Sequence, residues 1–556
     1  MLKTGGTIEA YDIFLNKKGK WEAAQYRDMC LDEADNLILL YTKNTSSTVE
    51  KIDTRGNKTI YKREIARDDS PESIYTDRAT GLTYGIRDGI IYRWDFAGKA
   101  KEKLLNCRDL WPIGDVYDLL VNSGEEVYIL SSEGKEQTLI KYGKMAKAEE
   151  KTAKDVDKGI HITVWSDPGG MLSNSARAFE NKHTDTKVIV ESYDELEYEQ
   201  YVQRINTELM AGKGPDLIYG YFPFHEYQEK GLLLNLDDMI NNDPDFDMTD
   251  YDQTIINAYR SKNGFYVMPI SYIVNCFLVN SMLVQDKGIE FNDNWTWLDL
   301  YNMVKEANEK QSPKGYAIPK ISEKYLFREV IYKDIDYYME RDKKLAKFDT
   351  KEFTDALKLL KKMMDEQIEH PDIDLRTVIR SDGEVAPDDI LFIPIQLFSY
   401  DNIKAYSNYY KSIKLMPVPR GLYTDAKEFM GQDIAINKSS PNKNEAWLFI
   451  KFLISEEMQS KMSQDGFNVN LKARDKYIEQ IFDNQNKYPN SNNYRITSED
   501  IQRLQGIIKD CNKKYWDRGE LFDMIWNEVQ IYINNERNVE ETAMVIQNKV
   551  ELYLNE

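Results

Sequence analysis

The side chains best suited to covalent or metal chemistry are few in this chain, and they stand apart. Four cysteines, Cys30, Cys107, Cys276 and Cys511, form no CxxC and match no zinc or disulfide spacing. Isolated thiols of this kind are usually buried. The four histidines, His161, His183, His225 and His370, are never within five positions of one another, so no HExxH-type ligand pair exists. With 94 Asp and Glu, some carboxylate pairs arise by number alone, and a glycosidase-like pair carries no weight. GxSxG, GxxxxGK[ST] and a GxGxxG after a strand are all missing. An enzyme is therefore not expected, and neither a metal nor a cofactor is. The chemistry on offer is that of binding. Hydroxyl, amide and carboxylate groups lie beside aromatic rings at Tyr219, Tyr221 and Phe222, at Ser271-Tyr272, at Tyr400-Asp401 and at Gly431-Gln432-Asp433. A small-molecule pocket needs a few polar groups in such a lining.

The elements that must position these residues fall into two textures. Residues 1–143 read as short β-rich runs closing on polar or Gly turns, LILLYTKN, LTYGIRDG and VYILSSEG among them. These runs open after Asn36, Gly81 and Glu126, a spacing of 45 residues each time, and a second run follows each. Two of the second runs place an aspartate three residues before a glycine, Asp53 with Gly56 and Asp95 with Gly98. A period of about 40–50 residues with several strands per unit is a β-propeller signature; unrelated hairpins with chance spacing are the alternative. Three units and a fragment are fewer than the ~4–8 blades of a ring, so this all-β propeller-like segment is expected to be N-terminally truncated, with earlier blades and an export signal preceding Met1. Residues 144–159, KMAKAEEKTAKDVDKG, have almost no large apolar side chain and read as a charged linker.

From Ile160 strands alternate with amphipathic helices, an α/β pattern. HITVWSD precedes a helix carrying Leu172, Ala176 and Phe179; KVIVESY precedes one carrying Tyr198, Val202, Ile205 and Leu209; then Pro215-Asp216 opens DLIYGYF. Such a β-α-β-α-β order suggests a doubly wound sheet with its ligand crevice at the carboxyl ends of the strands. Further on, Thr296-Trp297-Leu298-Asp299 has capping-box form, Ser440-Pro441 is read as a helix start, and Val539, Ala543, Ile546, Val550 and Tyr553 share one helix face. Trp295 and Trp297, at a helix start, are read as core in preference to stacking platforms.

These runs carry a resemblance. WSDPGG, AFENKH, VIVESY and INTELMAGKGPDLIYGYFPFHEYQEKGLLLNL resemble the first lobe of family 1 extracellular solute-binding proteins, the maltose-binding-protein-like sugar receptors of ABC importers. NGFYVMPISYIVNCFLVNSMLV, NWTWLDLYNMV, IKLMPVPRG, MGQDIAINKSSPNKNEAWLFIKFLISEEMQSKM and VEETAMVIQNKVELYLNE follow in that family's order. The resemblance implies an α/β two-lobe, periplasmic-binding-protein-like (type II) fold over 160–556. Lobe 1 would span about 160–271 and 417–455, and lobe 2 about 276–415 and the C-terminal helices. On the same ground Ser166 and Asp167 fall in a loop that supplies polar ligand contacts, although either serves equally well as a helix cap. Tyr221, Phe222, Ser271, Tyr272, Tyr400, Asp401, Gln432 and Asp433 complete the candidate ligand-binding set, with core packing or a hinge role as the alternatives. The aromatic stretch through Phe224 departs from the small or polar residues common in the family.

The implied function is capture of a carbohydrate by hinge closure and delivery to ABC permease transmembrane subunits. A monomeric, extracellular protein is implied, either a cell-surface lipoprotein or periplasmic, whose signal and anchor are not in this sequence. The rival readings are a cell-surface sensor, in which the propeller-like segment meets a partner of unknown kind, and a glycan-active enzyme. Charge supports neither nucleic acid nor anionic lipid as a partner: 73 Lys and Arg against 94 Asp and Glu leave −21. The longest nearly apolar run, Ile390 to Phe398, falls far short of the ~18 residues of a spanning helix.

Overall fold

In the computed structural model the chain divides into two compact units, Met1–Gly159 with Asp167–Val190, and Ile160–Ser166 with Glu191–Glu556. The structure describes 159–556 apart from 166, 168–169, 194–195, 291, 311–314, 367, 376–388, 407–413, 462–465, 488–493, 516–518 and 556. In 1–158 it describes the strands and the turns at 32–36, 54–55, 70–71, 77 and 80–82. The predicted linker up to Lys158, Ser166 and Cys107 lie outside the described residues.

The first unit is built of antiparallel meanders. Leu2–Lys3, Thr7–Tyr11 and Lys17–Glu22 form one sheet; Tyr26–Leu31, Leu37–Lys43, Ser46–Asp53 and Lys58–Ala66 the next. Ser73–Thr76, Thr83–Arg87, Ile90–Asp95 and Ala100–Asn106 follow, then Asp115–Val121, Val127–Glu133 and Glu136–Tyr142. The runs read at 45-residue spacing are the second strands of the last three sheets. An aspartate holds the turn from first to second strand in two of these sheets, through its carboxylate in one and its backbone carbonyl in the other. Asp32 accepts hydrogen bonds from the backbone N–H groups of Ala34 and Asn36 at 2.8 and 2.7 Å, and the Asp77 carbonyl accepts from Gly81 at 2.8 Å. First strands of neighbouring sheets also touch: Ile74 N–H donates to Asp28 at 2.7 Å, and Cys30 Sγ lies 3.2 Å from Thr76 Oγ1. In the same unit, helix Met171–Lys182 buries Leu172, Ala176 and Phe179, as the spacing predicts.

The second unit is organised on one sheet path, Ile160–Val164, Leu217–Gly220, Glu428–Ile436, Met268–Val279 and Phe392–Leu397. The first two strands are parallel, with Ile162 opposite Leu217, and the other neighbours are antiparallel. Met268–Val279 is buried along nearly its whole length, Ser271 included. It changes partners at Val274. Residues 268–274 pair with the return strand Glu428–Ile436, whereas 274–279 pair with Phe392–Leu397. Lys513–Lys514 lies parallel to the return strand at Glu428–Phe429 and makes a third crossing segment.

Beyond Val274 the sheet is covered by helices. Phe277, Trp295 and Phe392 pack at 5.1 to 5.8 Å between ring centres. Trp297, Leu300 and Val304 from helix Trp297–Lys310 join that core, as do Val539, Ala543, Ile546 and Val550 from helix Val539–Asn555. Trp295 and Trp297 are thus core residues, and truncating either to alanine removes a buried indole at a cost of about 3–5 kcal/mol. The Thr296–Asp299 capping box is present, Asp299 accepting from Thr296 N–H at 2.8 Å and donating its own N–H to Thr296 Oγ1 at 3.2 Å. The Ser440-Pro441 helix start is corrected: the helix runs Lys443–Leu453. Ser440 Oγ is occupied with Asp216 Oδ1 (2.6 Å) and Asn442 N–H (2.9 Å), which lock the turn before the helix.

Candidate functional site

A cavity of about 190 Å³ opens in the second unit. One wall is Pro223, His225 and Glu226, just beyond the carboxyl end of Leu217–Gly220. The other is made by Arg328, Tyr332, Ile335, Asp336, Met339, Arg341, Glu428, Lys513, Tyr515, Gly519, Leu521 and Tyr553. The chain therefore places a polar, tyrosine-rich pocket at a strand end, where an open α/β sheet keeps its ligand crevice.

The pocket's charges are held in pairs. Arg328 donates to Glu428 Oε2 at 3.0 Å and also pairs with Glu329, while its guanidinium lies 4.4 Å from the Tyr515 ring centre. Lys513 Nζ donates to Asp336 Oδ2 at 2.7 Å and to the Lys333 carbonyl at 3.1 Å. Arg341 reaches Glu229 of helix Phe224–Glu229 at 3.4 Å and so ties the two walls together. Three cations (Arg328, Arg341, Lys513) face three carboxylates (Glu226, Asp336, Glu428) in the lining. Such a set exchanges hydrogen bonds with hydroxyl groups, which donate and accept. Among the described residues, no group of three or more His, Cys, Asp or Glu side chains is placed to hold a metal ion.

The residues expected from the sequence are not all brought together. Ser271, Gln432 and Asp433 come together. Ser271 and Tyr219 hydroxyls donate to Gln432 Oε1 at 3.0 and 3.2 Å, Tyr259 donates to Asp433 Oδ1 at 2.5 Å, and buried Lys514 pairs with the other Asp433 oxygen. Burial and the Asp433 charge push the Tyr259 phenol well above its ordinary value, which keeps it a donor. Gly431 is required here because a Cβ would occupy the place of the Tyr259 hydroxyl. Tyr272 and Tyr400 are core: both rings pack on Phe467, at 5.4 and 5.1 Å, and the buried Tyr272 hydroxyl has no partner among the described residues. Phe222 is core as well, among Tyr201, Phe224 and Tyr227. Asp401 accepts from Tyr477 at 2.6 Å. Asp167, in the first unit, spends both oxygens on its helix, accepting from Leu172 N–H at 2.9 Å and from Ser173 N–H and Oγ at 3.0 and 2.6 Å. Tyr221 is exposed, as Asp401 is, and stands at the strand end two residues before Pro223.

None of the pocket-lining residues was among the sequence candidates. One signal bore on them: residues 223–226 continue the DLIYGYF run, so the strand-end rule extended by one turn would have reached Pro223, His225 and Glu226. Arg328, Arg341 and Lys513 carry no comparable mark.

The strand path, the three crossing segments and a pocket beside them define a two-lobe binding-protein fold of type II. Comparison bears this out. An ABC substrate-binding protein from Listeria monocytogenes, solved in complex with cycloalternan, superposes with a TM-score of 0.50 at 17% identity, covering 72% of this chain and 99% of that one. A periplasmic-binding protein from Synechococcus sp. MITs9220 gives 0.52 at 14% (71% and 99%). The GacH receptor of Streptomyces glaucescens, solved unliganded and with acarbose, gives 0.50 at 14% (72% and 99%). No curated protein matches the chain. The profile of the bacterial extracellular solute-binding proteins matches residues 168–460, more than half of the 556. The chain belongs to that family, a family of binding proteins.

Proposed function

We propose that this chain is the extracytoplasmic receptor of an ABC importer, taking up a neutral carbohydrate in the Pro223–Arg341 pocket and presenting it by hinge closure to permease transmembrane subunits. The observation that carries the reading is the charge-paired, tyrosine-lined cavity at a strand end, with Glu229 and Arg341 tying its two walls. The glycan-bound proteins of the same fold support the ligand class. Closure shifts a population, because the ligand makes more contacts when both walls surround it. The lobes of this reading are those of the resemblance, about 160–271 with 417–455, and about 276–415 with the C-terminal helices, and they meet where Met268–Val279 changes partners.

The meanders of residues 2–142 are, on this reading, blades of a β-propeller; their sequential order and the contacts between first strands support it. A lipid anchor holding a monomeric receptor at the surface completes the proposal. Titration calorimetry of the full chain against acarbose, cycloalternan and linear gluco-oligosaccharides tests it. Binding of a glycan with loss of affinity in Arg341→Ala is expected; a panel without a single binder would falsify the carbohydrate assignment.

A further inference from the structure

One buried cation stands behind the cavity lining. Lys513 and Tyr515 line the cavity, and Lys514 between them points the other way, as strand alternation requires. Its side chain is only 4% exposed, and its ammonium pairs with Asp433 of the return strand. The same ammonium lies 5.6 Å from the Phe224 ring centre and 5.0 Å from that of Tyr259, within cation–π range. Phe224 opens the helix that carries His225 and Glu226, both in the opposite wall. Lys514 therefore joins the segment that forms one wall to the helix that forms the other, and both to the return strand.

Stability alone gives no reason for a charge at this place. A buried ion pair is often replaced by apolar side chains of similar volume without loss. What the pair adds is direction, since an ammonium and a carboxylate meet in one register while apolar side chains can slide. The strand Lys513–Lys514 is two residues long, with Lys513 opposite Glu428, Lys514 opposite Phe429, and the Tyr515 N–H donating to the Phe429 carbonyl at 2.8 Å. So short a pairing gains most from a further lock. The walls also fit closely: a Cβ at Gly519 would lie 2.5 Å from Glu226 Oε1, which leaves little slack between them. We propose that Lys514 is a positioning residue of the binding site. Paired with Asp433 and seated against Phe224, it fixes Lys513 and Tyr515 on one wall relative to His225 and Glu226 on the other, and so sets the spacing that a ligand meets. This rests on the pocket being the ligand site, and it holds whatever the ligand's chemistry.

The test compares the full chain with the double variant Asp433→Leu, Lys514→Met, which keeps apolar volume and leaves no unpaired charge. Urea midpoint, affinity for acarbose, cycloalternan and linear gluco-oligosaccharides, and amide hydrogen exchange of residues 224–230 and 513–515 are read on both. Expected is a double variant close to the parent in urea midpoint, yet about five- to tenfold weaker in affinity and faster in exchange at both segments. A purely structural pair would move affinity and exchange only as far as it moves stability. A double variant that regains all three therefore overturns the proposal. Should its midpoint stay low, Phe224→Leu decides, because it removes the ring beside Lys514 and leaves the ion pair in place. Faster exchange at 224–230 with about two- to threefold weaker binding sustains the positioning role, and parental values overturn it. If no glycan binds even the parent, the carbohydrate assignment is lost separately. Exchange then decides for Lys514: faster at both segments sustains the role, and unchanged exchange overturns it.

Discussion

Asp433, a candidate from the sequence, is held by partners from two other elements. It is enclosed with Lys514 on one oxygen and Tyr259 on the other, and the Lys514 ammonium sits 5.0 and 5.6 Å from the Tyr259 and Phe224 ring centres. A charge so enclosed is tolerable only while its counter-charge remains. Asp433→Asn is therefore expected to destabilise the second unit by about 3–5 kcal/mol in urea unfolding, and Asp433→Leu with Lys514→Met to recover most of the loss. Glu369 gives the opposite sign. Burial pushes its carboxyl up to about 7; Lys320 pulls it down and Glu323 pushes it further up. Between about 4.5 and 7 the folded form holds a proton that the unfolded form releases, so this group's contribution to stability falls as pH rises through that window. Glu369→Gln should stabilise by about 1–3 kcal/mol at pH 8 and by little at pH 4.5; an equal effect at both pH values would refute the assignment. The sequence showed which residue types gather near the crossing strands. It did not show which face of each strand meets the cavity, because alternation separates two faces without saying which is open. Tyr272 and Tyr400 stood among the candidates for that reason, and Asp167 because a cap and a ligand contact demand the same side chain.

At the scale of elements, the pattern was legible wherever one face is apolar and the ends are chemically marked. The second helix of the body, Tyr198–Met210, buries Tyr201, Ile205 and Leu209, so the stripe read from spacing is displaced toward Tyr201 but real. Ser440 misled because its hydroxyl bonds the turn ahead of the helix. Helix Ser498–Lys509 shows what a true cap does: Thr497 Oγ1 accepts from Asp500 N–H at 3.1 Å, and the Asp500 carboxylate accepts from Thr497 N–H at 2.8 Å. That helix carries Arg503, which donates to the Leu415 carbonyl at 2.8 Å and pairs with Asp293, so its start positions a tie to the strand Leu415–Pro417. Thr497→Ala is expected to cost about 1 kcal/mol and Thr497→Ser far less. Equal losses in the two variants, read from urea midpoints, would show that the methyl group and not the hydroxyl matters there.

For the whole molecule, the division into two compact units makes a thermodynamic claim. Each unit has its own buried clusters, Leu37, Leu39, Tyr41 and Ile52 among those of the first, and the large helical core in the second. Units with separate cores need not melt together, so scanning calorimetry of the full chain should resolve at least two transitions. The pocket lies wholly in the second unit, so a ligand stabilises that unit by mass action: about 2.7 kcal/mol at a hundred times the Kd. One transition should therefore climb with ligand concentration while the other stays put. The same titration followed by solution scattering should show a smaller radius of gyration at saturation, since ligand contact with both walls favours the closed population. If both transitions rise together, the ligand couples the units and the pocket is not its only site. If neither rises while binding is seen calorimetrically at low temperature, the bound state is not the folded second unit described here.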